Sequence, residues 1–109
     1  MATRDYSSKQ EKVVASYLEG QTTPNSGATP FKKGDVITED TIIECKTKTK
    51  EVTSHSIKKE WIEALRKECI SMGKDYWAIV FDFGTQELKD QYVVIPIQYY
   101  KELKEAYNE

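Results

Sequence analysis

One apolar helix framed by two apolar runs of strand length limits this chain more than any other feature. In "SIKKEWIEALRKECISMG", residues 56–73, Ile57, Trp61, Leu65 and Cys69 recur every four residues, and Gly73 follows as a C-cap. Upstream lies "TIIECK" and downstream "YWAIVFDF", the second so continuously apolar that it reads as a strand covered on both faces. If the two strands are parallel, the connection between them is a right-handed crossover. The expected fold class is therefore α/β, a small mixed β-sheet flanked by helices. With 109 residues there is material for one domain spanning 1–109 and a modest single core.

The remaining segments extend this pattern. "SSKQEKVVASYLEG" reads as a first helix, with Ser8 and Glu11 as a capping box, Val14 and Leu18 at helical spacing, and Gly20 as its end. "QTTPNSGATP", residues 21–30, is a loop by composition. "YVVIPI" reads as another strand covered on both faces, with Pro96 placing its end near a sheet edge or exit. The tail "QYYKELKEAYNE" is expected to be a helix whose inner stripe is Tyr99 or Tyr100, Leu103 and Tyr107.

Composition narrows the function classes. Apolar residues make up 39 % and charged residues 31 %, with five Gly and three Pro, which excludes a disordered chain. The net charge of −2 conceals a crowd of lysines in the middle of the chain, from Lys32 to Lys59, suited to an anionic partner. Cys45 and Cys69 lack metal-site spacing and disulfide density, and are expected to be buried thiols in a reducing compartment. The N-terminal "MATRDYSSKQEK" is polar and charged, and no apolar run reaches membrane length, so the cytoplasm is the expected location. Trp61 and Trp77 sit in apolar patterns and read as core, whereas His55 reads as exposed or helix-flanking.

The chemistry concentrates in "KKGDVITEDTIIECKTK", residues 32–48. A reversal centred on Glu39 and Asp40 pairs residues whose numbers sum to 79, which sets Asp35 against Glu44, Lys33 against Lys46, and Ile37 against Ile42. A three-residue loop would shift that register by one. Like charges at about 5 Å are unfavourable, so a positive group belongs between Asp35 and Glu44, supplied by the lysines or by a cation. Two opposed carboxylates suit magnesium, which keeps several waters and is completed by phosphate. Lys46, two residues beyond Glu44, shares its face and is placed to orient or deprotonate an attacking water, or to stabilise charge on a phosphate. The arrangement matches phosphodiester hydrolysis.

Asp35 followed by Glu44-Cys45-Lys46 resembles the D…(D/E)-x-K signature of the restriction-endonuclease-like nucleases. "SKQEKVVASYL" is similar to the first helix of archaeal and phage Holliday-junction resolvases, and "NSGATP…KGDV" resembles their Ser-Gly loop before the motif aspartate. Gly34 stands where many relatives have proline, and no glutamine occupies residues 57–60. The resemblance covers residues 8–46 and implies a restriction-endonuclease-like core. It also implies a magnesium-dependent endodeoxyribonuclease, with manganese able to substitute, acting as a homodimer on four-way or other branched DNA. The implied catalytic set is Glu11, Asp35, Glu44 and Lys46, and the implied metal ligands are Glu11, Asp35, Glu44 and the backbone carbonyl of Cys45. Ser26, Lys32, Lys33, Lys48 and Lys50 would contact DNA phosphates. On a helical wheel Gln10 lies nearer the apolar face than Glu11, so the role of Glu11 comes from the resemblance. The rival readings are a nuclease of the same fold for linear, flap or single-stranded DNA, and a non-catalytic nucleic-acid or protein binding module.

Overall fold

Ser8 determines where the first helix begins. Its hydroxyl oxygen accepts the Glu11 N–H at 3.1 Å, relieving one of the orphan donors of the first turn, and α1 then runs Lys9–Leu18. In the computed structural model, which describes residues 8–23 and 35–109, this helix ends two residues before the expected glycine. Glu19 takes the left-handed cap position at φ 59°, and its N–H reaches the carbonyls of Ala15 and Ser16. Gly20 serves a different need: a Cβ there would stand 2.8 Å from the Ile37 carbonyl oxygen, so the missing side chain lets the turn lie against the sheet.

Five strands and two further helices follow: β1 (Gln21–Thr22), β2 (Val36–Ile37), β3 (Thr41–Lys46), α2 (Lys59–Ser71), β4 (Tyr76–Phe81), β5 (Tyr92–Val94) and α3 (Ile97–Tyr107). They form one mixed sheet in the order β1-β2-β3-β4-β5, in which β3 and β4 are parallel and all other neighbours are antiparallel. The domain is thus a small mixed α/β unit, with α2 in the crossover between its parallel strands. β1 was not expected; it is two residues taken from the start of the predicted loop, held by pairing with β2 and not by any strand propensity of its own.

Strand alternation divides the core into two layers. Ile42, Trp77 and Ile79 pack with Leu65 and Cys69 of α2, and Trp61 and Ile57 border that cluster. Ile43, Cys45, Ala78 and Val80 pack with Val14 and Ala15 of α1 on the opposite face. Burying an aliphatic side chain such as Ile42, Ile43, Leu65 or Ile79 contributes about 1.5–3 kcal/mol. The period read for α2 holds, although the helix starts at Lys59 and Ile57 packs from the preceding loop; Gly73 follows it with φ 68°.

Two expectations are corrected at the far edge. β5 is a three-residue edge strand with Tyr92 51 % and Val93 55 % exposed, so it is not covered on both faces. The stripe predicted for α3 is mostly uncovered: Tyr99 packs edge-on against Tyr76 and Trp77, whereas Tyr100, Leu103 and Tyr107 remain exposed. Apolar composition marks such runs, but only the number of layers determines which of them are covered.

Candidate functional site

The end of β3 carries the predicted chemistry. The ladder pairs Val36 with Ile43 and Ile37 with Ile42, both sums being 79, so the expected register holds there, but Asp35 is not paired with Glu44, and the expected pairing of Lys33 with Lys46 lies outside the described residues. Beyond Val36 the pairing changes. The Asp35 N–H donates to the Ile43 carbonyl at 2.9 Å, which sets two residues of one strand against one of the other in the manner of a bulge. The Asp35 carboxylate then takes the place of a backbone acceptor: its Oδ2 accepts the Cys45 N–H at 2.8 Å. Within a strand residue, N–H and C=O point to the same edge, so the Cys45 carbonyl lies on the side of β3 that Asp35 occupies.

Glu44 is only 5 % exposed, although it stands in an otherwise apolar strand. Its Oε2 lies 3.4 Å from Lys46 Nζ, the ion pair expected from their shared face. Lys46 Nζ also lies 4.3 Å from the centre of the Trp61 ring, so its ammonium sits between a carboxylate and an indole. Trp61 is therefore not purely a core residue; it is half-buried beside the lysine.

Glu11 occupies the first turn of α1. Burial pushes the Cys45 thiol far above the usual thiol value, and Asp35, Glu11, Glu44 and Asp82 push it further, in that order. Among the described residues, no three His, Cys, Asp or Glu side chains are gathered into a complete metal-ligand set. The donors available here are the carboxylates of Asp35 and Glu44 and the outward carbonyl of Cys45. This set of hard oxygens suits magnesium, which retains several waters as ligands. Lys48 and Lys50 lie exposed in the loop after β3, while Ser26, Lys32 and Lys33 lie outside the described residues.

A buried polar network lies behind this strand end, and of its members only the inward placement of Gln10 could be read from the sequence. Asp82, fully buried at the end of β4, accepts the Thr47 hydroxyl, the Gly84 N–H at 2.9 Å and the Gln91 side-chain N–H at 2.7 Å. Its backbone carbonyl accepts from His55 Nδ1 at 2.7 Å, which assigns the proton to that nitrogen and draws His55 inward. Gln10, 1 % exposed, donates from its amide to the carbonyls of Lys46 at 2.9 Å and Val80 at 3.3 Å and to Gln91 Oε1 at 3.0 Å. The Asp82 N–H also reaches the Lys46 carbonyl, at 3.2 Å. The backbone of Lys46 is therefore clamped by α1 and β4 together. The helical wheel points to Gln10; nothing local distinguishes Asp82 from any acid that ends an apolar run.

A cavity of about 640 Å³ lies on the α1 face, lined by Val14, Tyr17, Ile43, Val80 and Tyr92 among others. None of the four acids around Cys45 lines it, so it is separate from the charged strand end. No helix among the described residues is long and apolar enough to cross a membrane. No protein-family model, curated protein or solved structure matches the chain.

Proposed function

We propose that this chain is a cytoplasmic, metal-dependent DNA endonuclease with a restriction-endonuclease-like core, acting on branched DNA in the manner of a Holliday-junction resolvase. The observation that carries the reading is the meeting of Asp35, Glu44 and Lys46 at one strand end, with Asp35 bonded to the amide of Cys45, the residue between the other two. A carboxylate as buried as Glu44 is costly unless its charge is compensated. Lys46 offsets that charge at 3.4 Å, and a divalent cation held by the same carboxylate would do so as well. The order helix, β-meander, crossover helix, strand is also that expected of such a core.

Asp35, Glu44 and the Cys45 carbonyl would hold magnesium or manganese, with Glu11 as a further ligand from α1. When bound, the metal polarises the scissile phosphate and acidifies water. Lys46 orients the attacking water and stabilises the phosphate as charge builds up. Lys48 and Lys50 hold the DNA backbone, as do Ser26, Lys32 and Lys33. Two such sites in a homodimer would make the paired nicks that resolution of a junction requires.

The test uses four-way junction and linear duplex of equal length at moderate salt. With magnesium, the parent chain is expected to nick the junction at symmetry-related positions and the duplex far less. Asp35→Asn, Glu44→Gln and Lys46→Ala should each lose at least about a hundredfold in rate. Magnesium should raise the melting temperature of the parent but not of the first two variants. Equal cutting of both substrates would point to a nuclease for linear DNA. DNA binding with no cleavage under any divalent metal would leave only a binding module.

A further inference from the structure

Lysine is a poor positioning device by itself, because its ammonium ends a flexible four-carbon stem and is strongly hydrated. At the end of β3 that stem has two partners among the described residues. Glu44 Oε2 lies 3.4 Å from Nζ, and the Trp61 ring centre lies 4.3 Å from it. A ring face attracts a cation through its quadrupole, most strongly when water is excluded, and the Lys46 side chain is only 26 % exposed.

The indole is itself held in place. Trp61 sits in the first turn of α2, where its backbone N–H donates to the Lys58 carbonyl at 3.0 Å. The ring borders the apolar cluster of Ile42 and Leu65, and the His55 imidazole meets it edge-on, the planes 89° apart and the centroids separated by 6.5 Å. His55 is anchored in turn on the Asp82 carbonyl. A chain of fixed groups thus runs from β4 to the ammonium of Lys46.

We infer that Trp61 is a positioning residue, its indole face holding the Lys46 ammonium beside Glu44 so that the lysine is already in place when Glu44 turns its charge to a metal. The inference rests on the nuclease reading given above. Without the indole, the ammonium has only Glu44 for a partner among the described residues, and its hold loosens once that carboxylate engages a cation. Trp61 belongs neither to the proposed metal ligands nor to the proposed DNA contacts, and its effect belongs in turnover rather than in DNA binding.

Two measurements test this. The first replaces tryptophan biosynthetically by its mono- to tetrafluoro analogues, which weaken the ring quadrupole with little change of shape. The junction-cleavage kcat should fall stepwise across the series, by about tenfold in total, with KM within about twofold. The same series in Trp61→Phe, where only Trp77 carries fluorine, should be flat. The second measurement is the NMR shift of the Lys46 ε-methylene protons, expected upfield of the other lysines through the indole ring current, in the presence and absence of magnesium, and returning to the ordinary position in Trp61→Leu. A kcat insensitive to fluorination overturns the inference even if Trp61→Leu is slow, since packing alone would then explain that variant. An ordinary Lys46 shift in the parent chain also overturns it. A parent chain that cuts no DNA defeats the nuclease reading and with it the catalytic purpose of the contact, whereas flat fluorination in an active enzyme defeats the contact alone.

Discussion

Cys45 is buried at the end of β3 among the acids gathered there. Its thiol is pushed upward first by burial and then by Asp35, Glu11, Glu44 and Asp82, so the native state keeps that proton to higher pH than the unfolded chain, whose thiols ionise near pH ~8.5. Above that pH the native state binds more protons than the unfolded state, and stability falls as pH rises. The contribution is fully present at neutral pH and is lost on the alkaline side. Melting temperatures recorded from pH 7 to 10 should therefore decline, and the decline should be shallower in Cys45→Ala. It should not vanish, because Cys69 is shifted upward as well, by burial and then by Asp75. An unchanged slope in Cys45→Ala would mean that the thiol does not sense these acids. At this scale the sequence reveals spacing but not depth. The interval from Asp35 to Glu44 and Lys46 could be read along a hairpin, whereas the burial of Asp82 and its three donors depends on the end of β3, the turn after β4 and the loop before β5 converging on one carboxylate.

Among the elements, those with a strong period were legible and those held by neighbours were not. α2 repeats every four residues and β4 is apolar throughout, so each forms wherever a sheet is available. β1 and the loop after β3 have no such period. That loop is held against the turn following β4 by the Val52 N–H, which donates to the Phe83 carbonyl at 2.9 Å, and by Gly84, whose φ of 114° suits glycine. A Cβ at Gly84 would stand 2.5 Å from the Lys50 carbonyl oxygen and 2.8 Å from Glu51 Cα, both backbone atoms that cannot move aside without carrying the loop with them. Gly84→Ala is expected to destabilise the chain by roughly 2–4 kcal/mol, combining backbone strain with overpacking. The denaturation midpoint measures this. A loss below about 0.5 kcal/mol, the range of ordinary surface substitutions, would show that the loop gives way freely.

At the scale of the molecule, α3 is the element that one chain leaves incomplete. It meets the sheet through Tyr99, while Ile97 is 80 % and Tyr107 89 % exposed on a helix with no buried residue. A second copy of the chain, as in the proposed homodimer, would cover such a face. Light scattering at micromolar concentration should then give twice the chain mass. Leu103→Glu combined with Tyr107→Glu should return the mass of one chain with little loss of melting temperature, since neither side chain supports the monomer core. A monomeric parent chain would remove α3 from that role. The sequence by itself determined the α/β class, the order of strand, helix and strand around α2, and the hairpin register at Val36 and Ile37. These follow from periodicity and alternation, which are properties of neighbouring residues. Only the tertiary structure decided that Asp35 turns its carboxylate to the Cys45 amide, that Trp61 faces Lys46, that Asp82 and Gln10 clamp the strand end, and that β5 and α3 stay uncovered. Each of these depends on which segments distant in sequence meet across the sheet, and burial is a property of that meeting, not of any residue alone.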